Sequence, residues 1–325
     1  MVSLPGAQPD GRTSVVRRVA IADPDLDLDY ARAVLREVDA EPVFEDEGWS
    51  GEGLLGLILS PATRFGRDDL ARCPDLRIVV TTSTGHDNID IDACRQRQVT
   101  VWHPNDYCST EVADSAIAHL TGLLRGVTVL DRSVAAGRWH FADAGVLRRF
   151  DTTRLGVMGF GTIGQKVAAR AQALGMQVSA YDPVVAPGTF TAAGVTRYDL
   201  EELFSQSTAI SLHVPLVDGT RGLVSERLLG LLPVGSLLVN LSRGEVVDTD
   251  ALLAALDSGR LAAASVDVLP TEPPTADAPA PVHPQLVVTP HAAWYSEESA
   301  HILFRQPVEV VRDVLAGRLP GDAVT

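Results

Sequence analysis

The segment that most limits the possible folds of this chain runs from Leu155 to Gly164 and reads LGVMGFGTIG. It begins as an apolar strand, breaks on glycines with the spacing G-x-G-x-x-G, and continues into a helical pattern. A strand, a glycine turn and a helix in this order form the phosphate-binding corner of a Rossmann unit, where helix N–H groups meet a pyrophosphate. The run therefore predicts a dinucleotide site lined by Gly159, Phe160, Gly161, Thr162, Ile163 and Gly164.

An acidic residue downstream of the glycine turn indicates which nucleotide binds. The next predicted strand, over residues 176–181, is followed by Asp182. The dinucleotide fingerprint places an acid at this point to accept hydrogen bonds from the adenosine ribose. A carboxylate here favours NAD and repels the 2′-phosphate of NADP, and residues 183–186 contain no arginine that could bind such a phosphate. We therefore expect NAD as the cofactor.

Composition narrows the class of protein further. A length of 325 residues, of which 46% are hydrophobic, suggests two domains with large cores. The net charge of −15 argues against nucleic acid and membranes as partners, and no apolar run is long enough to span a bilayer. The three cysteines are too few and too widely spaced for a disulfide framework or a zinc site, which predicts a cytoplasmic protein without a metal. The expected partner is a small molecule.

Short apolar runs alternate with helical stretches along nearly the whole chain, which predicts an α/β fold with mostly parallel sheets. Strands are predicted over residues 18–21, 56–59, 77–82, 209–212, 237–241, 262–266 and 286–289, and helices over 30–38, 112–124, 226–232, 249–258 and 296–315. The glycine turn marks the first strand of a Rossmann unit and lies in mid-chain. An earlier α/β unit must therefore precede it.

Three polar residues follow predicted strands downstream of the glycine turn: Arg243, Glu272 and His291. The carboxyl ends of parallel strands form the ligand-binding edge of an open α/β sheet. Taken alone, the arginine and the glutamate are typical of solvated surface residues, and the histidine is typical of a structural one. Together they form a complete set for an α-keto acid: an arginine to bind the carboxylate, a histidine to supply a proton, and a carboxylate to keep the imidazole oriented and protonated.

The motifs of this chain resemble those of the D-2-hydroxyacid dehydrogenases. The resemblance rests on GFGTIG at 159–164, YDP at 181–183, LVNLSRG at 238–244, VDV at 266–268 before Glu272, and TPH at 289–291. Three further runs are similar to the C-terminal-binding-protein branch of that family: TGHDNID at 84–90, DYCSTEVAD at 106–114 and PHAAWYSE at 290–297.

The resemblance implies a particular domain organisation. Two Rossmann-like, doubly wound parallel-sheet domains would be separated by a cleft that closes on substrate. A flavodoxin-like substrate-binding domain would span residues 1–118, and an NAD-binding Rossmann domain would span residues 119–292. A C-terminal helix in residues 293–325 would return to the substrate-binding domain.

The resemblance also implies roles for individual residues. Arg243 would bind the carboxylate and keto oxygen of the substrate, His291 would act as the acid/base, and Glu272 would pair with His291. Thr84 and Gly85 would bind the substrate carboxylate from the other domain. Asp267 would bond the nicotinamide amide. Further cofactor contacts are expected from Val214, Pro215, Leu241, Ser242, Arg243, His291, Trp294 and Thr84.

Two features bear on the substrate. Trp294, three residues after His291, is expected to wall the substrate pocket and to favour a compact or apolar side chain over a phosphorylated one; the alternative is that it packs between the domains. The chain departs from the pattern of the branch at His103-Pro104-Asn105, where the branch has Asn-x-Pro. Because a proline fixes its own φ and restricts its predecessor, this loop is predicted to take a different path. The sequence leaves open whether His103 faces the cleft or has a structural role.

The family pairs through its nucleotide domain, and the resemblance therefore implies a homodimer. The segment after the connector helix carries apolar residues outside the predicted Rossmann core that need a cover, at Val127, Leu130, Val134, Trp139 and Phe141. A second subunit could supply that cover, or the segment could fold back on its own domain.

Two other functions are compatible with the same motifs. One is an NAD(H)-sensing, corepressor-like scaffold, which is the role of the eukaryotic members of the branch. The other is a dehydrogenase of an unusual anion such as formate, phosphite or a phosphonate. A phosphorylated substrate would require extra cations, for which Arg64 and Arg67 are available.

Overall fold

The structure of the protein is a computed structural model that describes residues 16–45 and 47–325. The first fifteen residues of the predicted substrate-binding domain therefore lie outside the described residues. Contacts between Cα atoms divide the chain into two compact units, one comprising residues up to Asn105 together with Ala300–Thr325, the other Asp106–Ser299.

The first unit is built on a five-stranded parallel sheet with the order β2-β1-β3-β4-β5. Its strands are β1 (Arg18–Ala22), β2 (Glu41–Phe44), β3 (Leu54–Leu59), β4 (Ile78–Thr81) and β5 (Thr100–Trp102). The helices between them are α1 (Leu28–Leu35), α2 (Arg67–Arg72) and α3 (Ile91–Gln96). This strand order is that of the flavodoxin-like doubly wound fold, in which ligands bind beyond the carboxyl ends of the strands.

The second unit is built on a seven-stranded parallel sheet with the order β12-β11-β10-β9-β6-β7-β8. Its strands are β6 (Arg154–Met158), β7 (Gln177–Tyr181), β8 (Thr196–Arg197), β9 (Ala209–Leu212), β10 (Ser236–Asn240), β11 (Leu261–Val266) and β12 (Leu286–Val288). Its helices are α4 (Ser109–Arg125), α5 (Val127–Ala135), α6 (Thr162–Ala173), α7 (Pro187–Ala192), α8 (Leu200–Gln206), α9 (Glu226–Leu231) and α10 (Thr249–Asp257). The strand order reverses between β6 and β9, which is where a doubly wound sheet opens a ligand crevice.

Both sheets have apolar residues on each face, as expected for parallel strands covered by helices on both sides. In β3 and β9 every residue is buried. Short polar side chains begin several helices: Asp27 accepts hydrogen bonds from N–H groups in α1, and Asp248 accepts one from Ala251 in α10. Helix α4 ends at Gly126, whose φ of 62° is a left-handed conformation that glycine adopts at little cost.

The last helix, α11 (Glu297–Leu315), contributes to the first unit. Its residues Val308, Val311, Val314 and Leu315 are buried in the core that includes Val19 and Ile21. Gly56 in β3 makes this packing possible, because a Cβ there would lie 2.9 Å from Val311 Cγ1. Helix α4, in contrast, packs on α6, β10 and β11 of the second unit. The division observed at 105/106 and 299/300 therefore keeps the whole of α4 with the second sheet, whereas the sequence-based boundary at 118/119 lies within this helix.

An arm of the second unit, residues 127–147, leaves large apolar side chains uncovered. Trp139 and Phe141 are 87% and 83% exposed, and Val127 and Val134 are also exposed. Among the described residues, no helix combines the length and the apolar character that a bilayer span requires.

Candidate active site

The glycine turn after β6 has the local geometry that its sequence predicts. Gly159 has a φ of +93°, and a Cβ there would lie 2.3 Å from His213 O. A Cβ on Gly164 would lie 2.0 Å from Gly159 O, so this glycine allows α6 to approach the turn closely. A Cβ on Gly161, however, would meet no atom within 4 Å in the described part of the chain. Backbone packing thus requires glycine at positions 159 and 164. Gly161 instead leaves the turn open to a ligand.

The N-terminus of α6 faces this opening with its N–H groups. Gly161 is the N-cap residue, and no side chain of the described residues caps it. The N–H groups of Thr162, Ile163 and Gly164 occupy the first turn, where α-helical geometry provides no acceptor within the helix. Together with the helix dipole, these groups suit the phosphates of a dinucleotide.

Asp182 is held beside the glycine turn by backbone hydrogen bonds. Its Oδ2 accepts a bond of 2.8 Å from Phe160 N, and its Oδ1 accepts bonds from Val184 N and Val185 N. The carboxylate therefore lies at the end of β7 directly against the phosphate-binding loop, the place where an acid can reach an adenosine ribose. Val214, which follows β9 together with Pro215, lies next to Gly159, with its Cγ1 3.0 Å from the Cβ position of that glycine.

The turn that carries Arg243 is shaped by a buried amide that sequence reasoning did not select. Asn240, the last residue of β10, donates from Nδ2 to Arg243 O, and its Oδ1 accepts from the N and Oγ of Ser242. Leu241 is buried, and the Arg243 guanidinium donates to Ser242 O. Gly244 follows, where a Cβ would lie 2.1 Å from Leu269 C. This glycine lets the Arg243 turn pack against the segment that leads to Glu272.

Asp267, just after β11, holds the loop that carries His291. Its buried carboxylate accepts hydrogen bonds from Thr289 Oγ1, Ala292 N and Ala293 N, and its carbonyl oxygen accepts one from His291 N. His291 itself has a φ of 53°, a left-handed conformation that is uncommon for a residue other than glycine. The loop is thus fixed by several bonds to a single acidic residue, which offsets the cost of that conformation.

Glu272 and His291 form the central contact of the site. Glu272 Oε2 lies 2.6 Å from His291 Nδ1, and Oε1 accepts a hydrogen bond of 2.6 Å from Leu269 N. Burial raises the pKa of Glu272, but the hydrogen bond and charge of His291, the Leu269 N–H and the charge of Arg243 outweigh it and hold the pKa below its usual value. With Nδ1 engaged by the carboxylate, Nε2 is the ring atom that can exchange a proton with a ligand.

Aromatic side chains adjoin the same loop. The Trp294 ring packs against Tyr107, with the ring centroids 6.2 Å apart, and edge-on against Tyr295. Tyr107 is buried, and that burial raises its pKa above its usual value although the charge of Arg243 opposes the rise. Sequence reasoning missed Tyr107, since no local pattern links it to a tryptophan so distant in the chain.

The second unit therefore contains Arg243, Glu272, Asp267, His291 and Trp294. It also contains the glycine turn, with Asp182 beside it. Thr84 and Gly85 belong to the first unit, in the loop after β4, where Thr84 Oγ1 donates to Pro104 O. Arg64 is exposed in the loop after β3, and Arg67 begins α2.

Comparison with known proteins identifies the chain. A family model described as "D-isomer specific 2-hydroxyacid dehydrogenase, NAD binding domain" matches residues 117–293, just over half of the chain. The chain belongs to the D-isomer specific 2-hydroxyacid dehydrogenase family. The sequence-based expectations of a dehydrogenase and of an NAD cofactor are thereby confirmed.

Related proteins support the same conclusion for this dehydrogenase. It is 39% identical over 270 residues to the (S)-sulfolactate dehydrogenase of Chromohalobacter salexigens, a match that covers 83% of this chain and 87% of the relative. It is 37% identical over 268 residues to the D-3-phosphoglycerate dehydrogenase of Mycobacterium leprae, covering 82% of this chain but only 50% of that protein.

Solved structures share the fold. The TT0316 protein from Thermus thermophilus superposes with a TM-score of 0.83 at 30% identity, covering 95% of this chain and 100% of that one. The D-lactate dehydrogenase from Aquifex aeolicus, crystallised with NAD and lactic acid, gives a TM-score of 0.83 at 26% identity, covering 93% and 96%. The predicted α/β class with two parallel sheets is thus confirmed both by the strand order and by these neighbours.

Proposed function

We propose that this dehydrogenase interconverts a 2-keto acid and the corresponding D-2-hydroxy acid with His291 as acid/base, Glu272 as its partner and Arg243 as the carboxylate-binding residue. The observation that carries the proposal is the 2.6 Å contact between Glu272 Oε2 and His291 Nδ1. The turn that carries Arg243 packs on the segment leading to Glu272, and the charge of Arg243 acts on the same carboxylate.

The chemistry follows from these positions. When bound, NADH supplies the hydride that reduces the keto carbon. Arg243 binds the substrate carboxylate and orients the carbonyl, and His291 Nε2 donates the proton that the carbonyl oxygen gains. Glu272 remains ionised and stabilises the protonated imidazole, which then loses its proton to the product. In the oxidation direction, neutral His291 accepts the hydroxyl proton.

The remaining contacts belong to the same proposal. Asp182 would accept hydrogen bonds from the adenosine ribose, and Asp267 would use its remaining acceptor capacity for the nicotinamide amide. Thr84 and Gly85 would bind the substrate carboxylate, and Trp294 would wall the pocket. Residues bordering the cofactor would be Val214, Pro215, Leu241 and Ser242.

The substrate class can be narrowed by the relatives. Sulfolactate and 3-phosphoglycerate, the substrates that two relatives are named for, are 2-hydroxy acids with a second acidic group on C3. Trp294 favours a compact side chain, and a sulfonate bonded directly to C3 is more compact than a phosphate ester. We therefore expect 3-sulfopyruvate and pyruvate to rank ahead of 3-phosphohydroxypyruvate.

A panel of 2-keto acids with NADH tests the proposal. Loss of the NADH absorbance with pyruvate, hydroxypyruvate, 3-sulfopyruvate or 3-phosphohydroxypyruvate would support it, provided that chiral analysis finds the D-series product. Binding of NADH without turnover of any of them would overturn it in favour of a corepressor-like scaffold. The relatives reported above are dehydrogenases, which favours the enzyme, and the likeness to the C-terminal-binding-protein branch stays a prediction.

We further propose a cytoplasmic homodimer. The three cysteines are buried free thiols, as suits a reducing compartment. The exposed Trp139 and Phe141 of the arm would be covered by a second copy in an isologous interface. Light scattering at micromolar concentration tests the dimer, because a mass near 34.6 kDa is the single-chain value and would contradict it.

A further inference from the structure

The first two turns of helix α4 contact two parts of the second unit that the proposed reaction uses. They pack on α6, the helix whose N-terminus faces the glycine turn. They also bond to the loop after β12: Ser115 Oγ donates to Ala293 O at 3.1 Å, and Ser296 Oγ donates to Glu111 Oε1 at 2.9 Å. All of these residues belong to the second unit. A side chain that fixes the start of α4 can therefore affect the catalytic loop without contacting a ligand.

Lys166, in the second turn of α6, binds the start of α4. Its Nζ donates to Ser109 Oγ and, at 3.2 Å, to Thr110 Oγ1, and it lies 3.6 Å from Asp106 Oδ1. Ser109 Oγ in turn donates to Asp106 Oδ1. Lys166 is the only lysine in the sequence. Its ammonium group thus joins the cofactor helix to the residues that begin α4.

This network holds Asp106 in an uncommon backbone conformation. The φ of Asp106 is 54°, in the left-handed region that residues other than glycine seldom adopt. The hydrogen bond from Ser109 and the charge of Lys166 act on its carboxylate and offset the cost of that conformation. Because Tyr107 follows directly in the chain, the direction of its side chain depends on the backbone of Asp106.

Tyr107 is the residue through which the start of α4 reaches the candidate active site. Its ring is buried and packs on Trp294, with the ring centroids 6.2 Å apart. Burial raises the pKa of Tyr107 and the charge of Arg243 opposes the rise, so the guanidinium lies within electrostatic reach of the phenol. A displaced Tyr107 would therefore alter the support of Trp294 beside Arg243.

We propose that Lys166 is a positioning residue for the keto acid: its ammonium group fixes Asp106 and the start of α4, and thereby holds Tyr107 against Trp294. Lys166 acts through Tyr107 and not on the substrate itself. This inference rests on the proposed function, since it takes Trp294 as a wall of the substrate pocket. Although Lys166 lies on the cofactor helix, its loss should affect the keto acid more than NADH.

Arg170, one turn further along α6, provides a matched control. Its Nε pairs with Asp114 of α4 at 2.5 Å. The two cationic side chains are equally exposed, 31% for Lys166 and 30% for Arg170, and both join α6 to α4. Asp114, however, lies in the second turn of α4, seven residues after Tyr107. If Lys166 only docked one helix on the other, the two substitutions would have the same effect.

Steady-state kinetics provide the first test. Lys166→Met should raise KM for pyruvate and for 3-sulfopyruvate by about fivefold, the size expected for loss of a partly exposed ion pair. KM for NADH, and every KM of Arg170→Met, should change by less than about twofold. Lys166→Arg keeps the charge and should remain near the wild type. Equal effects of the two methionine variants, no effect of either, or a rise in KM for NADH alone would overturn the proposal.

A double-mutant cycle tests whether Lys166 acts through Tyr107. Tyr107→Leu removes the ring that packs on Trp294 and should itself raise KM for the keto acid. Adding Lys166→Met to this variant should raise KM no further, because both substitutions act on one contact. Effects that multiply in the double variant would overturn the proposal.

Tryptophan fluorescence separates failure of this inference from failure of the proposed function. In Lys166→Met the emission should move to longer wavelength, because Trp294 loses its packing on a buried ring. The shift should be absent in Arg170→Met and in a Trp294→Phe background. No shift, or a shift that persists in that background, would overturn the positioning role. A shift that depends on Trp294, in an enzyme that reduces no keto acid, would support the positioning and overturn the proposed catalysis alone.

Discussion

The ionisable side chains of the candidate active site and two histidines at the carboxyl edge of the other sheet differ in how they are held. At the edge of the seven-stranded sheet, Glu272, Asp267 and His291 bond to one another or to nearby N–H and O–H groups at 2.5 to 3.0 Å. At the edge of the five-stranded sheet, His86 and His103 contact each other through their ring faces, and their Nδ1 atoms reach carbonyls only at 3.4 and 3.5 Å.

This difference matters for proton transfer. A group that transfers a proton must be fixed in position and protonation state, which dense hydrogen bonding achieves. Variants of Arg243, Glu272 and His291 should therefore affect all keto acids alike.

Replacement of His291 is the strongest test of the expectation that the catalytic residues affect all keto acids alike. His291→Gln should lower kcat with every accepted keto acid by about 10²- to 10⁴-fold, because a positioned general acid contributes that much. NADH binding, followed by quenching of tryptophan fluorescence, should stay near the wild-type value. The exposed His301→Gln is the matched control and should retain activity. Retention of wild-type kcat with even one keto acid would show that His291 does not transfer the proton.

Removal of Arg243 should have the next largest effect. Arg243→Ala should lower kcat/KM about 100-fold for each keto acid, since a charge-assisted contact to a carboxylate contributes about 1.5–3 kcal/mol and orients the carbonyl. The exposed Arg227, which pairs with Glu201 on the surface, offers Arg227→Ala as a control with little expected effect. A loss confined to one substrate would show that Arg243 does not bind the carboxylate that all of these keto acids share.

The cofactor preference should change by a smaller factor and should not depend on the keto acid. We expect the wild type to prefer NADH over NADPH by at least about tenfold, or 1.4 kcal/mol. Asp182→Ala should narrow this preference because the repulsion of the 2′-phosphate disappears. The ratio of the two kcat/KM values is the readout, since loss of the bonds to Phe160, Val184 and Val185 will weaken both cofactors. Equal use of both cofactors by the wild type would contradict the role of Asp182.

Sequence patterns predicted the strands of the two sheets unevenly. The strand over 209–212 has the predicted bounds, and the predicted strands over 18–21 and 262–266 differ from the observed ones by a single residue at one end. Three strands were missed: β2, β5 and β8. All three lie at the end of a sheet and have two to four residues. Their short length contributes, because two to four residues are too few to show a clear strand pattern; edge position alone is not the reason, since the edge strand β12 was predicted.

The candidate site residues that directly follow predicted strands could be found from the sequence. Arg243, Glu272 and His291 all come after apolar strands in the sequence; in the structure Glu272 bonds to His291, and the charge of Arg243 lowers the pKa of Glu272. The supporting residues were harder to find. Asn240 could have been found from the sequence, because it is a polar residue at the end of a mostly apolar strand. The packing of Tyr107 on Trp294 and the stacking of His86 on His103 depend on tertiary contacts that no periodicity reveals.

The smallest predicted effect concerns Glu272, and it is seen in a pH profile. The pKa of Glu272 is lowered, so the carboxylate is ionised throughout the neutral range and loses its charge only below the usual range of a carboxyl group. Its charge stabilises protonated His291, the form that reduction requires. Glu272→Gln removes that charge but keeps a hydrogen-bonding side chain of the same size.

In this variant, the alkaline limb of the kcat/KM profile for reduction should move to lower pH by on the order of half a unit. The pair is partly exposed, and such ion pairs contribute at most about 1 kcal/mol, where 1.36 kcal/mol corresponds to one unit. The move should be the same for pyruvate and 3-sulfopyruvate, because Glu272 acts through His291 and not on the substrate side chain. The exposed Glu298 of α11 gives the control Glu298→Gln, which should leave the limb in place. A limb that does not move in Glu272→Gln would mean that the contact seen between these side chains has no part in proton transfer.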